Sequence, residues 1–69
     1  MKDPTFRLVE LSGNSTTSIE DAVARAIQSA HDSIKNLSWF QVIEMLGPIH
    51  LGKMNHWLVT IKVGLAVLG

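Results

Sequence analysis

The spacing of apolar residues changes once along this chain, and the change restricts the folds open to it. Between Ile19 and Leu37 apolar residues recur at steps of three and four, the spacing of one face of an α-helix. After Ser38 the step becomes two, as in strands with one buried face. One amphipathic helix among strand segments predicts an α+β fold in which a sheet packs on that helix.

The helix is predicted to cover roughly residues 18–36. Ser18 and Asp21 have the S-x-x-D spacing of a helix start, in which the hydroxyl binds a free backbone N–H. Glu20 and Asp21 also place negative charge near the positive end of the helix dipole. The N-terminal boundary of the helix is therefore well specified by the sequence.

Three strands are predicted around this helix. The first, "TFRLVEL", covers residues 5–11 and ends at the turn-forming stretch "SGNSTTS". The second and third are "WFQVIEML", residues 39–46, and "NHWLVTIKVGLAVL", residues 55–68. Between them, "GPIHLGKMN" supplies the Gly and Pro residues of a break and a turn. The order is β-α-β-β, a three-stranded antiparallel sheet packed on one helix.

Alternation within the strands predicts which side chains face the helix. In the third strand the predicted helix-facing set is Trp57, Val59, Ile61, Val63 and Leu65. In the second strand Phe40 is in phase with Val42 and is assigned to the helix side. Trp39 then points to the uncovered face, toward a ligand or a partner chain.

The length and composition predict one domain, residues 1–69, that associates with other chains. A chain of 69 residues buries only about 60% of its unfolded surface, so its core is marginal. It has no cysteine for a disulfide, and it is 46% apolar but only 17% charged. Apolar surface is therefore expected to be buried between subunits.

Several partners and locations are expected to be absent. A formal net charge of zero does not suggest a nucleic-acid partner. The apolar run from Trp57 to Gly69 contains Lys62 and is shorter than the roughly 20 residues of a membrane span. The N-terminal "MKDPTFRLVE" has no apolar core of a signal peptide, so a cytoplasmic location is expected.

Metal binding and catalysis are also not expected. His31, His50 and His56 are scattered and have no ligand-type spacing. The spacing of the chain also assembles no activated nucleophile and no His–carboxylate pair, so the chain is not expected to be an enzyme.

Four segments in order resemble the dodecins, small flavin-binding proteins of β-α-β-β order that assemble as hollow dodecamers. The segments are "LVELSGNS", "IEDAVARAI", "NLSWFQVIE" and "NHWLVTIKVG", and the resemblance runs from about Phe6 to Leu65. It implies a homododecamer that stores or sequesters flavin and has no catalytic turnover.

The resemblance also implies a site. The tryptophan at the position of Trp39 stacks on the isoalloxazine ring, and two flavins lie between symmetry-related tryptophans at each subunit interface. Leu58 is expected to give an apolar contact, and His56 and Gln41 are candidate polar contacts. FMN, riboflavin and FAD all remain open as the ligand, with coenzyme A as a further candidate.

Three positions depart from the family's pattern. Leu58 stands where the family commonly has a glutamine that binds the flavin's pyrimidine edge, and Leu46 stands where many members have arginine. Ala66 replaces a basic residue found in some members, so ligand phosphates have fewer anchors. These departures favour an alternative, a dodecin-fold shell that has lost flavin or binds another small ligand. A second alternative, an enzyme acting on a small aromatic substrate in the same interface, lacks a general base beside Trp39.

Overall fold

The computed structural model describes residues 5–67, in which one helix lies on a three-stranded antiparallel sheet. The predicted α+β class and β-α-β-β order are confirmed, with a small two-stranded hairpin added between the last two long strands. The elements are β1 (Thr5–Ser15), α1 (Ile19–Ser33), β2 (Leu37–Leu46), β3 (Ile49–His50), β4 (Lys53–Met54) and β5 (Trp57–Val67).

Strand β5 is the central strand of the sheet, whose order is β1-β5-β2. It pairs antiparallel with β1 on one side and with β2 on the other. Lys62, for example, lies opposite Glu10 of β1 and opposite Gln41 of β2. The last segment of the chain therefore supplies the middle of the sheet and most of its core.

The core lies between β5 and the helix, and it is built from small helix residues and β-branched strand residues. Val59, Ile61 and Val63 of β5 are at most 1% exposed, which confirms the predicted helix-facing side of this strand. Ala22, Ala26 and Ala30 of α1 are buried against them. Fully burying each branched side chain stabilises the fold by about 1.5–3 kcal/mol.

The helix starts as predicted and ends earlier. Ser18 is the N-cap, and its Oγ accepts a hydrogen bond of 3.0 Å from the backbone N–H of Asp21. The helix ends at Ser33 rather than at residue 36, because Ile34 is already extended. Asn36 follows with φ 67°, a left-handed conformation that asparagine tolerates better than most residues.

The strand boundaries also differ from the predictions. β1 continues through the turn-forming residues to Ser15, because Ser12–Ser15 find partners in Thr60–Trp57 of β5. Pairing with a central strand outweighs the weak strand propensity of Gly, Asn and Ser. β5 begins at Trp57 rather than at residue 55, and the predicted end of the third strand at residue 68 lies outside the described residues.

The helix covers β1 and β5 and leaves β2 largely open. Phe40 and Val42 pair with Val63 and Ile61, so they do lie on the helix side of the sheet. Their side chains are nevertheless 48% and 39% exposed. The predicted placement of Phe40 on the helix side is therefore confirmed, but its side chain stays half exposed because the helix covers mainly β1 and β5.

Candidate ligand-binding face

A bulge at the start of β2 places Trp39 on the uncovered face of the sheet. Leu37 lies opposite Leu65, and the next pair is Trp39 opposite Gly64, so Ser38 is an extra residue in β2. The backbone N–H of Ala66 donates to the carbonyl of Asn36 at 3.1 Å and ties this entry to β5. The predicted orientation of Trp39, away from the helix, is found in the structure.

The Trp39 indole lies flat on Gly64. A Cβ built on Gly64 would overlap the indole at Cε2, Cζ2 and Nε1, and Nε1 would be only 2.6 Å away. Because this point is close to three neighbouring ring atoms at once, the indole presents its face, not its edge, to the strand. Gly64 is buried, although it lies on the face that no helix covers.

The indole is partly exposed, and a second ring lies edge-to-face with it. Trp39 is 38% exposed. Phe6 of β1, which pairs with Ala66 of β5, has its ring centroid 5.8 Å from that of Trp39, with the planes at 68°. This edge-to-face geometry is the one that aromatic quadrupoles favour. The indole is therefore a braced platform with one free face.

Phe6 and Gly64 are site residues that the sequence reasoning missed. The contact between Phe6 and Trp39 spans two edge strands and depends on β5 lying between them. Alternation alone places Phe6 in phase with Leu8 on one face of β1, but it does not identify that face or its neighbour. A prediction of the strand order would have been needed to find this pair.

Gln41 is the predicted site residue that the subunit places beside Trp39. It follows Trp39 by one full alternation of β2 and lies opposite Lys62 on the uncovered face. Two residues of strand span about 6.6 Å, a separation that a glutamine side chain can bridge to a planar group placed on the indole. Gln41 is exposed and free to make such a contact.

Leu58 lies far from Trp39 within one subunit. It pairs with Leu46 near the other end of the sheet, six residues along β5 from Gly64. Six residues of strand correspond to about 20 Å. A polar band lies between the two apolar ends of this face. It includes Lys62 and the hydroxyls of Ser12 and Thr60, which are hydrogen-bonded at 2.9 Å.

His56 lies in a different place again. It lines an open polar cleft of about 350 Å³ at the start of β5. The other residues of this cleft are Asn14, Ser15, Thr16 and Arg25. A single subunit therefore brings Gln41, but neither Leu58 nor His56, to the indole, and a site that contains all four residues must take them from different copies.

Asp21 is hydrogen-bonded to two residues that line this polar cleft. Its carboxylate accepts a hydrogen bond of 2.7 Å from Arg25 Nε and one of 2.6 Å from Ser15 Oγ. The bond from Arg25 and then that from Ser15 hold the pKa of Asp21 below its ordinary value. The hydrogen bond to Asp21 and its negative charge in turn raise the pKa of Arg25. These interactions organise the start of the helix and do not extend to Trp39.

Two further properties concern the described part of the chain. Residues 5–67 contain no cluster of three or more His, Cys, Asp or Glu side chains arranged to hold a metal ion. The helix within the same residues is too short and too polar to span a membrane.

The fold and this face together define a class: a small α+β domain that carries a partly exposed indole on the uncovered face of its sheet. The sequence profile of the family described as Dodecin matches residues 5–67, and this chain belongs to the dodecin family. A dodecin of Thermus thermophilus is 32% identical over 59 residues, which are 86% of each chain.

Solved structures of dodecins have the same fold. The dodecin from Streptomyces coelicolor matches with a TM-score of 0.88 at 32% identity over 100% of this chain and 99% of that one. The dodecin from Streptomyces davaonensis gives 0.87 at 32% over 99% and 100%. A Mycobacterium tuberculosis protein described as a calcium chelating antigen, calcium dodecin, gives 0.78 at 28% over 93% and 91%.

Proposed function

We propose that this chain binds flavin at interfaces between its own copies, in a hollow homododecamer that stores or sequesters the flavin without turnover. Trp39 is the stacking plane. The observation that carries the proposal is the orientation of the indole, which lies face-down on Gly64 with its other face free. Membership of the dodecin family supports the choice of flavin as the planar ligand and of twelve as the number of copies.

The geometry of the indole supports an interface site in particular. A flavin stacked on the free face of Trp39 would have its own far side bare, since no element of residues 5–67 lies above this part of the sheet. Close cover from both sides gains apolar burial as well as stacking. A second copy that brings its own indole and flavin completes the stack, as the family arrangement of two flavins between two tryptophans would require.

The positions of the other site residues fit a shared site. Gln41 contributes an amide from the same copy as Trp39, because the two lie on one face of β2. Leu58 and His56 contribute from another copy, since about 20 Å of strand separates Leu58 from the platform of its own subunit. Contacts from two copies make binding depend on the assembly.

The face around Trp39 is better suited to bind the ring system of a flavin than its phosphate groups. Phe6 and Gly64 contact the indole, and Leu46 and Ala66 offer no cation at the positions where relatives can have one. We therefore place riboflavin ahead of FMN and FAD, and we place coenzyme A last, because it depends most on phosphate contacts.

The cytoplasm is the compartment proposed for the assembly.

The test is direct. Purified protein is titrated with riboflavin and with FMN while flavin fluorescence is followed, because close stacking on an indole quenches the excited flavin. Native mass spectrometry of the same sample counts the subunits. Quenching at micromolar flavin together with a mass of twelve chains supports the proposal, and a stable monomer or dimer contradicts it.

An assembled shell that does not bind flavin is the second candidate. The Leu46–Leu58 pair favours it, since two leucines face each other where the resemblance gives arginine and glutamine. A flavin carbonyl or N–H buried against leucine loses its hydrogen bond, at a cost of about 1–3 kcal/mol for each group. A dodecamer without quenching at micromolar flavin would select this candidate.

A further inference from the structure

Gly64 occupies a position at which a strand would ordinarily have a larger residue. It lies in the central strand β5, between Val63 and Leu65. Glycine inside a strand is less favourable than alanine by roughly 0.5–1 kcal/mol, because it loses more backbone entropy and packs no side chain. Strand stability therefore gives no reason for glycine here, but the indole above it does.

We propose that Gly64 is a positioning residue that sets the plane and height of the Trp39 platform, an inference that rests on the proposed flavin function. The distance of 2.6 Å between a Cβ at position 64 and Nε1 is far below the ~3.5–4.0 Å of a favourable nonbonded contact. An alanine methyl therefore has to displace the ring by about 1 Å or more. β5 is held by partners on both sides, so the indole moves and the strand stays.

Phe6 limits how the indole can move. Its ring lies edge-to-face with the indole, with centroids 5.8 Å apart, and Phe6 pairs with Ala66 of β5, so the Phe6 ring restricts a sideways shift of the indole along the sheet. The remaining movement is outward, by a lift or a tilt away from the sheet. In a stack closed by two symmetry-related indoles, both would move inward, and the gap for the two flavins would narrow by roughly 2 Å.

The first measurement is made on the unmodified protein and does not need flavin. With the indole flat on Gly64, ring current shifts the NMR resonances of the Gly64 Hα protons upfield, and these protons show cross-relaxation to the indole ring. Ordinary glycine shifts at position 64, in the assembled protein, would overturn the inference whether or not flavin binds.

The second measurement compares Gly64→Ala with Gly47→Ala. At Gly47 a new Cβ meets the Met54 sulfur at 2.8 Å, which is the far end of a flexible side chain. We expect Gly64→Ala to weaken riboflavin binding at least tenfold and to change the near-ultraviolet circular dichroism of the indole. Gly47→Ala should change riboflavin binding less than twofold, and both variants should keep the subunit count.

The outcomes separate the inference from the function on which it rests. If the unmodified protein shows the Gly64 ring-current shift but no flavin quenching, the proposed function fails and the packing of the platform stands. If the protein quenches flavin and Gly64→Ala quenches it equally well, Gly64 does not position the platform and the inference fails. If Gly64→Ala does not assemble, Phe6→Leu is the second variant, because it removes the ring that packs against the indole without adding an atom over the strand. Unchanged riboflavin affinity in Phe6→Leu would contradict the argument that Phe6 holds the indole in place.

Discussion

Replacing Trp39 by alanine removes the platform and leaves the core intact. Trp39 lies on the uncovered face, whereas the buried residues Val59, Ile61 and Val63 lie on the opposite side of the sheet. Trp39→Ala should therefore abolish most flavin binding while the chain still folds. The indole also covers Gly64, so the variant exposes one glycine of the central strand but opens no cavity in the core.

The expected loss can be worked from the exposure of the side chain. Tryptophan offers about 150–250 Å² on burial, and 38% of that area is roughly 60–95 Å². At about 25 cal/mol per Å², covering it with a flavin contributes about 1.5–2.4 kcal/mol. Favourable stacking geometry adds about 0.5–1.5 kcal/mol. The sum of about 2–4 kcal/mol corresponds to a loss of roughly 30-fold to 1000-fold in affinity.

The assay is the same riboflavin titration, run on Trp39→Ala, Trp39→Phe and Trp57→Phe. Trp39→Phe keeps a smaller ring and should fall between the unmodified protein and Trp39→Ala. Trp57→Phe is the matched control, since Trp57 packs partly buried against the core and should leave riboflavin affinity within about threefold. Riboflavin affinity of Trp39→Ala within threefold of the unmodified protein, with the subunit count unchanged, would refute the reasoning.

Three further predictions follow from other parts of the structure. Leu58→Gln should tighten riboflavin binding by restoring an amide to the shared site, and an unchanged or weaker affinity in the same titration would show that the missing amide is not what limits binding. Ile61→Ala should lower the free energy of unfolding by about 2–5 kcal/mol through cavity formation, measured by denaturant titration, and a loss below 1 kcal/mol would contradict the assigned core. Because the pKa of Asp21 is lowered on folding, its contribution to stability is present above the ordinary value of 3.8 and is lost as the pH falls through the folded-state pKa. The difference in unfolding free energy between the unmodified protein and Asp21→Asn should therefore shrink below pH 3.8, as measured by acid unfolding. A difference that grows there would contradict a lowered pKa of Asp21 in the folded state.

The elements that could be predicted are those with a strong local pattern. The helix from Ser18 onward and the buried face of β5 follow from spacing alone, and the structure agrees with both. The end of the helix could not be placed, because Ile34 continues the apolar pattern while its backbone is already extended. The length of β1 was also missed, since only pairing with β5 makes a strand of the turn-forming residues that end at Ser15.

The site could be predicted only in part, for a reason of topology. Alternation places Trp39 on the open face, but its neighbours depend on which strand lies in the middle of the sheet. With β5 central, Gly64 lies beneath the indole, and Phe6 packs edge-to-face with the indole from the far strand. With another strand order the same sequence pattern would give Trp39 different neighbours, so neither residue could be assigned to the site in advance.

The edge strand β2 links the fold to the proposed assembly. Its large apolar side chains are exposed on both faces of the sheet: Trp39, Phe40, Val42, Ile43, Met45 and Leu46. An exposed apolar edge strand invites uncontrolled association, and natural proteins usually protect such edges with charge or cover them. β2 has one acidic residue, Glu44, and the helix covers mainly the other two strands, β1 and β5. Other copies that cover both faces of β2 would bury its helix-side residues and would enclose Trp39 in a binding site. Assembly would therefore explain both adjacent rings, with Phe40 buried on one face and Trp39 on the other.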